Sequence, residues 1–171
     1  MGTNQRGQIT MDDAEIADLL DGARSMTLAS VGPDGTPHLV AMWFAILDGD
    51  IYFETKAKSQ KAVNLRRNPA VSCLVEDGAT YGELRGVAIE GTAEVIDDPD
   101  VLWRVGVNVW ERYNGPYSDE MKPFVEAMLN KRVAVKVNRT RARSWDHRKL
   151  GMPDMGPAGG STVDNPNRRQ H

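Results

Sequence analysis

The chain has few of the residues that build disulfides and metal centres, with one cysteine and three histidines among 171 residues. Cys73 has no second cysteine to pair with, so we expect a buried structural thiol in a reducing cytoplasm. His147 has no second histidine at ligand spacing, which argues against a metal site. The sequence also lacks a nucleophile elbow, a P-loop and any zinc-binding spacing.

Long apolar runs and a strong excess of one charge are missing too. No stretch approaches the ~20 apolar residues of a membrane span, and residues 1–10 contain no apolar secretion segment. The net charge of -3 argues against general affinity for nucleic acid or acidic membranes. With 40% hydrophobic and 26% charged residues, the composition predicts an ordinary soluble, cytoplasmic domain.

The segment 51–75 is the most informative part of the sequence. Residues 51–55 are predicted to form a strand and residues 70–76 a second strand, with a basic turn and a short helix between them. Ser59 is a good helix N-cap, and Asn68-Pro69 is a good helix end. The segment has no glycine-rich loop and its helix is short, so it does not fit a Rossmann unit.

The charge at the start of this short helix is unusual. Lys56, Lys58 and Lys61 crowd a helix N-terminus, where the macrodipole already contributes roughly half a positive charge. Acidic residues normally occupy such a position, and three lysines repel one another there. A capping hydroxyl, free N–H groups and lysines together predict a site for a phosphate.

The remaining pattern predicts six or seven short antiparallel strands with inserted helices, which is typical of a mainly β antiparallel barrel with peripheral helices. We expect a flexible N-terminus at 1–10, a single domain at 11–150 and a flexible tail at 151–171, which is rich in Gly, Pro, Ser and Asn. Further strands are predicted at 25–31, 36–47, 84–96 and 132–139, with an extension at 141–145, and further helices from Thr10 to Gly22, at 99–113 and at 118–130.

Four motifs follow one another along the chain: TLASVGPDGTPHLV at 27–40, WF and DGDIYFET within 43–55, SQKAVNLRRNP at 59–69 and GVAIEGTAEV at 86–95. In this order they resemble the split β-barrel flavoproteins related to pyridoxamine 5'-phosphate oxidase. The resemblance covers about residues 14–145. Within that superfamily the chain is most similar to the branch that uses the deazaflavin coenzyme F-420, and SWDHRKLG at 144–151 is similar to that branch as well.

The resemblance implies a split β-barrel homodimer with the cofactor at its interface. It also implies an oxidoreductase that moves a hydride between reduced F-420 and a small unsaturated or conjugated organic acceptor. The second predicted strand reads LVAMW and lacks the arginine with which the oxidase itself binds the flavin phosphate, and its GWxxxRL ending is absent. Vitamin B6 oxidation is therefore not expected. The alternatives are an FMN-dependent oxidoreductase, a non-catalytic F-420 carrier and a haem-handling barrel.

By the same resemblance, Lys61 falls at the position of a cofactor-phosphate lysine. Ser59 and Thr55 are expected to assist it, together with Lys56 or Lys58. The polyanionic phospholactyl-glutamate tail of F-420 gives additional lysines a role.

The cofactor ring is expected to lie against residues 40–45. Trp43 is the candidate for a flat wall beside the ring, and Met42 either borders the ring or joins the core. Asn64, Arg85 and Trp145 complete the candidate cofactor-binding residues. The catalytic residue is left unassigned, with water or Tyr81 as the proton source.

Several of these side chains have a structural alternative. Arg85 either reaches the cofactor or pairs with Glu83, and the pairing is favoured. Trp145 and His147 either cover the cofactor of a partner subunit or end a surface strand. The aromatic residues Trp103, Trp110 and Tyr113 form either a lid or a packing stripe, and packing is favoured.

Overall fold

A computed structural model describes residues 5–153 of the chain. Seven antiparallel strands and five α-helices give a mainly β protein with the split β-barrel fold, which confirms the predicted fold class. None of the helices in this described range is long and apolar enough to cross a membrane. The elements are α1 (Gln5–Gln8), α2 (Asp13–Gly22), β1 (Met26–Val31), β2 (Pro37–Met42), β3 (Ala45–Leu47), β4 (Asp50–Lys56), α3 (Gln60–Arg67), β5 (Ala70–Asp77), β6 (Arg85–Ile96), α4 (Pro99–Asn114), α5 (Lys122–Leu129) and β7 (Arg132–Asp146).

The strand order shows which strands lie at the edges of the sheet. The order is β2-β1-β5-β6-β7-β4-β3, so β2 and β3 lie at opposite edges of the sheet. In the chain, however, only Trp43 and Phe44 separate these two strands. The end of β2 and the start of β3 therefore lie close together at this crossover, which fits a strongly curled sheet of the split-barrel type. The predicted single strand at 36–47 is wrong, since the structure divides it into β2 and β3. The sequence gives no sign of this break, because no glycine or proline marks it.

Two predicted helix starts also need correction. The first long helix begins after Asp12 and not at Thr10, because Asp12 and Glu15 form a reciprocal capping box, with N–H to carboxylate distances of 2.8 and 2.9 Å. The helix predicted at 118–130 begins as a 3-10 turn at Asp119–Met121 and becomes α-helical at α5. Pro123 lies in the first turn of α5, where its missing N–H costs no hydrogen bond.

The described residues form two compact units. The larger unit consists of Arg24–Cys73 and Ile89–Arg141. The smaller unit consists of Leu74–Ala88 with the described residues up to Ala23 and from Ala142 onward. The predicted extension of the last strand is confirmed, since β7 runs without a break to Asp146. The predicted single domain at 11–150 and the flexible segment at 1–10 stay predictions, and the tail from 154 lies outside the described residues.

Helix α4 packs tightly within the larger unit. Val105 and Val109 of α4 are fully buried against Ala45 of β3 and Ala134 of β7. Burying a large apolar side chain contributes about 1.5–3 kcal/mol. The contact with α5 is close as well, because a Cβ added at Gly106 would lie 2.6 Å from Leu129 Cδ1. This packing fixes α4 beside the crossover between β2 and β3.

The lone cysteine gives a first test of the fold. Cys73 is buried, and burial raises the pKa of its thiol to about 12. Because the thiolate is the reactive form, the native protein should resist labelling by a disulfide reagent at about pH 8. Unfolding in guanidinium should then release one reactive thiol per chain, measured by absorbance. Rapid labelling of the native protein would contradict the placement of Cys73 in the core.

A glycine in β6 gives a second test. A Cβ added at Gly91 would lie 2.2 Å from the carbonyl oxygen of Asn138 on β7. We expect Gly91→Ala to lower the free energy of unfolding in urea by about 1–3 kcal/mol, the cost of forced overpacking. Gly22→Ala is the matched control, because nothing lies within 4 Å of a Cβ added there, and it should be neutral or slightly stabilising. Equal effects of the two substitutions would argue against the close approach of the strands.

Candidate functional site

The start of α3 has the geometry predicted for an anion site. Ser59 is its N-cap, with extended backbone, and its Oγ accepts a hydrogen bond from the N–H of Ala62 at 3.4 Å. The hydroxyls of Thr55 and Ser59 lie 3.0 Å apart, and Lys61 Nζ donates to Thr55 Oγ1 at 3.3 Å. The N–H groups of the first helical turn have no partner within the helix. Hydroxyl, ammonium and amide donors therefore converge at one place.

A second loop contributes cations that the sequence analysis missed. The loop before β7 packs against the loop before α3, because Lys131 O accepts from the N–H of Ala57 at 3.0 Å and Lys56 Nζ donates to Asn130 O at 2.8 Å. Lys131 has a left-handed backbone, with φ 59°, an uncommon conformation for a residue other than glycine. Lys58 and Lys131 are exposed, and within residues 5–153 neither side chain has a hydrogen-bond or ion-pair partner. The two loops lie close together because the antiparallel register of β4 and β7 pairs Lys56 with Arg132.

One carboxylate lies among these positive charges. Glu54 is 9% exposed and forms an ion pair with Arg132. Burial raises the pKa of Glu54, and Arg132 opposes that shift. Partial burial, and then the positive charge of Arg132, lower the pKa of Lys61. We call the cations around the start of α3 and the start of β7 the basic cluster, which consists of Lys56, Lys58, Lys61, Lys131 and Arg132.

The basic cluster has unused donor capacity. Arg132 Nε is buried and has no hydrogen-bond partner among the described residues. The carboxylate of Glu54 is paired with Arg132, so the lysines leave the cluster with excess positive charge, and Lys61 carries part of that charge in a partly desolvated place. A phosphate would accept hydrogen bonds from the hydroxyls and the ammonium group and reduce the repulsion. The residues therefore fit the phosphate end of a nucleotide-like cofactor.

Asn64 has an internal role that the sequence could not distinguish from binding. Its side chain is fully buried, donates to Ser30 Oγ at 3.2 Å and accepts from Gln60 Nε2 at 2.8 Å. These bonds tie α3 to β1. Both ends of its amide are thus used within the fold, and a role of Asn64 in cofactor binding stays a prediction.

Arg85 and Trp145 belong to the smaller unit, whereas the anion site belongs to the larger one. Arg85 forms ion pairs with Asp77 at 3.2 Å and Asp18 at 3.3 Å. The favoured pairing with Glu83 is therefore wrong, because the Glu83 carboxylate accepts hydrogen bonds from Thr80 instead. The ring of Trp145 packs over Gly86, where an added Cβ would lie 2.3 Å from the indole. Both candidates are held by neighbours within their own unit.

The smaller unit also contains two further candidate side chains, Tyr81 and His147. The rings of Tyr81 and His147 lie 4.6 Å apart, and His147 Nδ1 is 2.9 Å from Tyr81 O. Asp146 is buried and accepts hydrogen bonds from Nε and Nη2 of Arg148, which lower the pKa of Asp146. These contacts fix the end of β7. The role of Tyr81 as a proton source stays a prediction.

Trp43 is the candidate for the wall of the ring site. Its side chain is 54% exposed and stacks on Tyr113 of α4, with ring centroids 4.2 Å apart and planes 6° apart. Met42 is half-buried at the end of β2. Of the aromatic residues of α4, Trp110 packs on Phe124 and Trp103 contacts Tyr117 edge-on. Packing thus accounts for the two tryptophans, while Tyr113 faces the crossover.

Comparisons with known proteins agree with the fold. A family model described as pyridoxamine 5'-phosphate oxidase matches residues 12–146. The structure of conserved hypothetical protein Rv2991 from Mycobacterium tuberculosis is 62% identical, with a TM-score of 0.88 over 94% of this chain and 100% of that one. A structure named F-420 reductase is 32% identical, with a TM-score of 0.58 over 73% of this chain and 93% of that one.

A more distant neighbour shows the fold alone. It is HutZ, the heme storage protein from Vibrio cholerae, at 18% identity and a TM-score of 0.60 over 75% of this chain and 89% of that one. No curated protein matches the chain.

Proposed function

Since this chain belongs to the pyridoxamine 5'-phosphate oxidase family, we propose that it is an oxidoreductase that binds coenzyme F-420. The proposed reaction is hydride transfer between reduced F-420 and a small unsaturated or conjugated organic acceptor. The observation that supports this most is the basic cluster around the capped start of α3. The similarity to a structure named F-420 reductase supports the choice of cofactor.

Different residues of the basic cluster and its neighbours would bind different parts of such a cofactor. Ser59, Thr55 and Lys61 would bind its phosphate, and Lys56 would close the site from the side of the loop before β7. The exposed lysines Lys58 and Lys131 extend the positive surface beyond the phosphate position. FMN ends at its phosphate, whereas F-420 continues into an anionic tail, so these two lysines favour F-420.

The protein's contribution to the reaction is binding and orientation. When bound, reduced F-420 supplies the hydride, and no nucleophile of the chain is needed. Trp43 would support the planar ring, and the cationic site would fix the distal end of the cofactor. Fixing both ends restricts the ring to one orientation, which lowers the entropic cost of reaching the reactive geometry.

Lys61 provides the sharpest test of the proposed site. Purified protein titrated with F-420 should bind it, and Lys61→Ala should weaken binding about tenfold to hundredfold, because a charge-assisted hydrogen bond contributes about 1.5–3 kcal/mol. Cofactor fluorescence or anisotropy gives the dissociation constant. Lys122→Ala, an exposed lysine on α5 paired with Glu126, is the matched control and should bind like wild type.

The same titration with FMN tests the alternative cofactor. Tight FMN binding without F-420 binding would replace the proposal by an FMN-dependent oxidoreductase. Oxidation of reduced F-420 by a panel of enones and quinones then separates an enzyme from a carrier. A protein that binds F-420 but consumes none of it with any acceptor would count against catalysis.

We also propose that the chain forms a homodimer. β2 lies at an edge of the sheet, and its residues alternate between exposed and half-buried. Its exposed side is apolar, with Pro37, Leu39 and Ala41, and Leu39 is 64% exposed. Trp43 follows directly. An exposed apolar row on an edge strand favours association, and a second copy would cover it and provide the second wall of a ring site.

The oligomeric state tests this proposal directly. Light scattering with size exclusion should give twice the mass of the 18.9 kDa chain. Leu39→Lys should shift the protein towards monomer, because a charge would be buried at the interface. Phe124→Lys, at an exposed apolar residue of α5, is the control and should stay dimeric. A monomeric wild type at working concentration would contradict the dimer.

A further inference from the structure

The C-terminal half of α4 holds the crossover between β2 and β3. Ile46 N donates to Asn108 Oδ1 at 3.1 Å, and Phe44 N donates to the Tyr113 hydroxyl at 3.1 Å. The guanidinium of Arg112 lies 4.7 Å from the centre of the Phe44 ring. The crossover residues lie between two strands, so their N–H groups have no sheet partner and need other hydrogen-bond acceptors. Side chains of α4 thus fix the backbone directly after Trp43.

The contact between Trp43 and Tyr113 differs from the other aromatic contacts of the described residues. Its ring planes are 6° apart, whereas the planes of the other three pairs are inclined by 29° or more. Tyr113 covers one face of the indole, yet the Trp43 side chain is 54% exposed. The opposite face of the indole is therefore open to solvent. The stack with Tyr113 holds the indole ring in one plane.

Holding an exposed indole in one orientation has a consequence for binding. An unsupported Trp43 at a strand end would sample several rotamers, and a ligand would have to select one of them at an entropic cost. The stack on the Tyr113 ring removes that freedom in advance. The pairing of Ala45 with Tyr52 places Trp43 towards the same end of β4 as Thr55 of the anion site.

We propose that Tyr113 is a positioning residue that holds the indole of Trp43 as a flat platform for the planar ring of the ligand. The inference rests on the proposed function, since it assumes a ligand with both a ring and a phosphate. Tyr113 itself acts through Trp43, because the indole lies between it and the open side.

A double-mutant cycle with two probes tests this role. Wild type, Tyr113→Leu, Trp43→Leu and the double variant are titrated with F-420 and, separately, with inorganic phosphate, which has no ring. Tyr113→Leu should weaken F-420 binding about threefold to tenfold, the range for one aromatic contact, and leave phosphate binding unchanged. The double variant should bind F-420 no more weakly than Trp43→Leu alone.

Deazaflavin fluorescence adds a readout that a purely structural role would not change. Stacking on an indole should quench the fluorescence of bound F-420 in wild type, and Tyr113→Leu should reduce this quenching at saturation. Tyr113→Phe keeps the stacked ring and should restore both affinity and quenching. Tyr117→Leu, which removes the edge-on partner of Trp103, is the matched control and should behave like wild type.

The outcomes separate this inference from the proposed function. If wild type binds neither F-420 nor FMN, both are overturned. If wild type binds F-420 but the effects of Tyr113→Leu and Trp43→Leu add, or phosphate binding falls equally, only the positioning role is overturned. Should Tyr113→Leu fail to fold, a folded Tyr113→Phe that has lost F-420 quenching would overturn the role as well.

Discussion

Repulsion among cations at the start of α3 is the constraint on which the interpretation of this protein depends. Two unit charges 4 Å apart interact by about 4 kcal/mol at the effective dielectric of a protein surface. The five cations of the basic cluster have one carboxylate, Glu54, to offset them. Lysines at a helix N-terminus also oppose the macrodipole. A bound anion would reverse the sign of these interactions, which is why we propose that the cluster binds one.

The barrel topology connects this site to the candidate ring site. The antiparallel pairing of β4 and β7 brings Arg132 opposite Lys56, which adds the second loop to the cluster. At the other edge of β4, β3 leads back to the crossover at Trp43 and Phe44. Strand β4, paired with β7 on one side and with β3 on the other, therefore connects the proposed phosphate donors with the proposed aromatic platform. Helix α4 then fixes the crossover through Asn108 and Tyr113, which gives this inserted helix a role in the proposed ring site.

The predictable parts of the site were local in sequence. Ser59 and Lys61 were identified because a cap and its first helical turn lie within four residues. Lys131 and Arg132 were missed because they reach the site only through long-range strand pairing. The internal hydrogen bond of Asn64 to Ser30 could not be predicted, since a buried amide has the same helical spacing as an exposed polar residue. The break at Trp43 was hidden because both halves of the run are apolar and β-prone.

The pKa of Lys61 tests the electrostatic account most directly. Lysine side chains labelled with ¹³C at Cε can be followed by NMR through their alkaline titration, and the signal of Lys61 can be assigned with Lys61→Arg. The account predicts a pKa below the ordinary lysine value in the free protein, because burial and Arg132 disfavour the charge. Saturation with F-420 should raise that pKa, since an anion stabilises the ammonium group. An ordinary pKa that does not change with the ligand would contradict it.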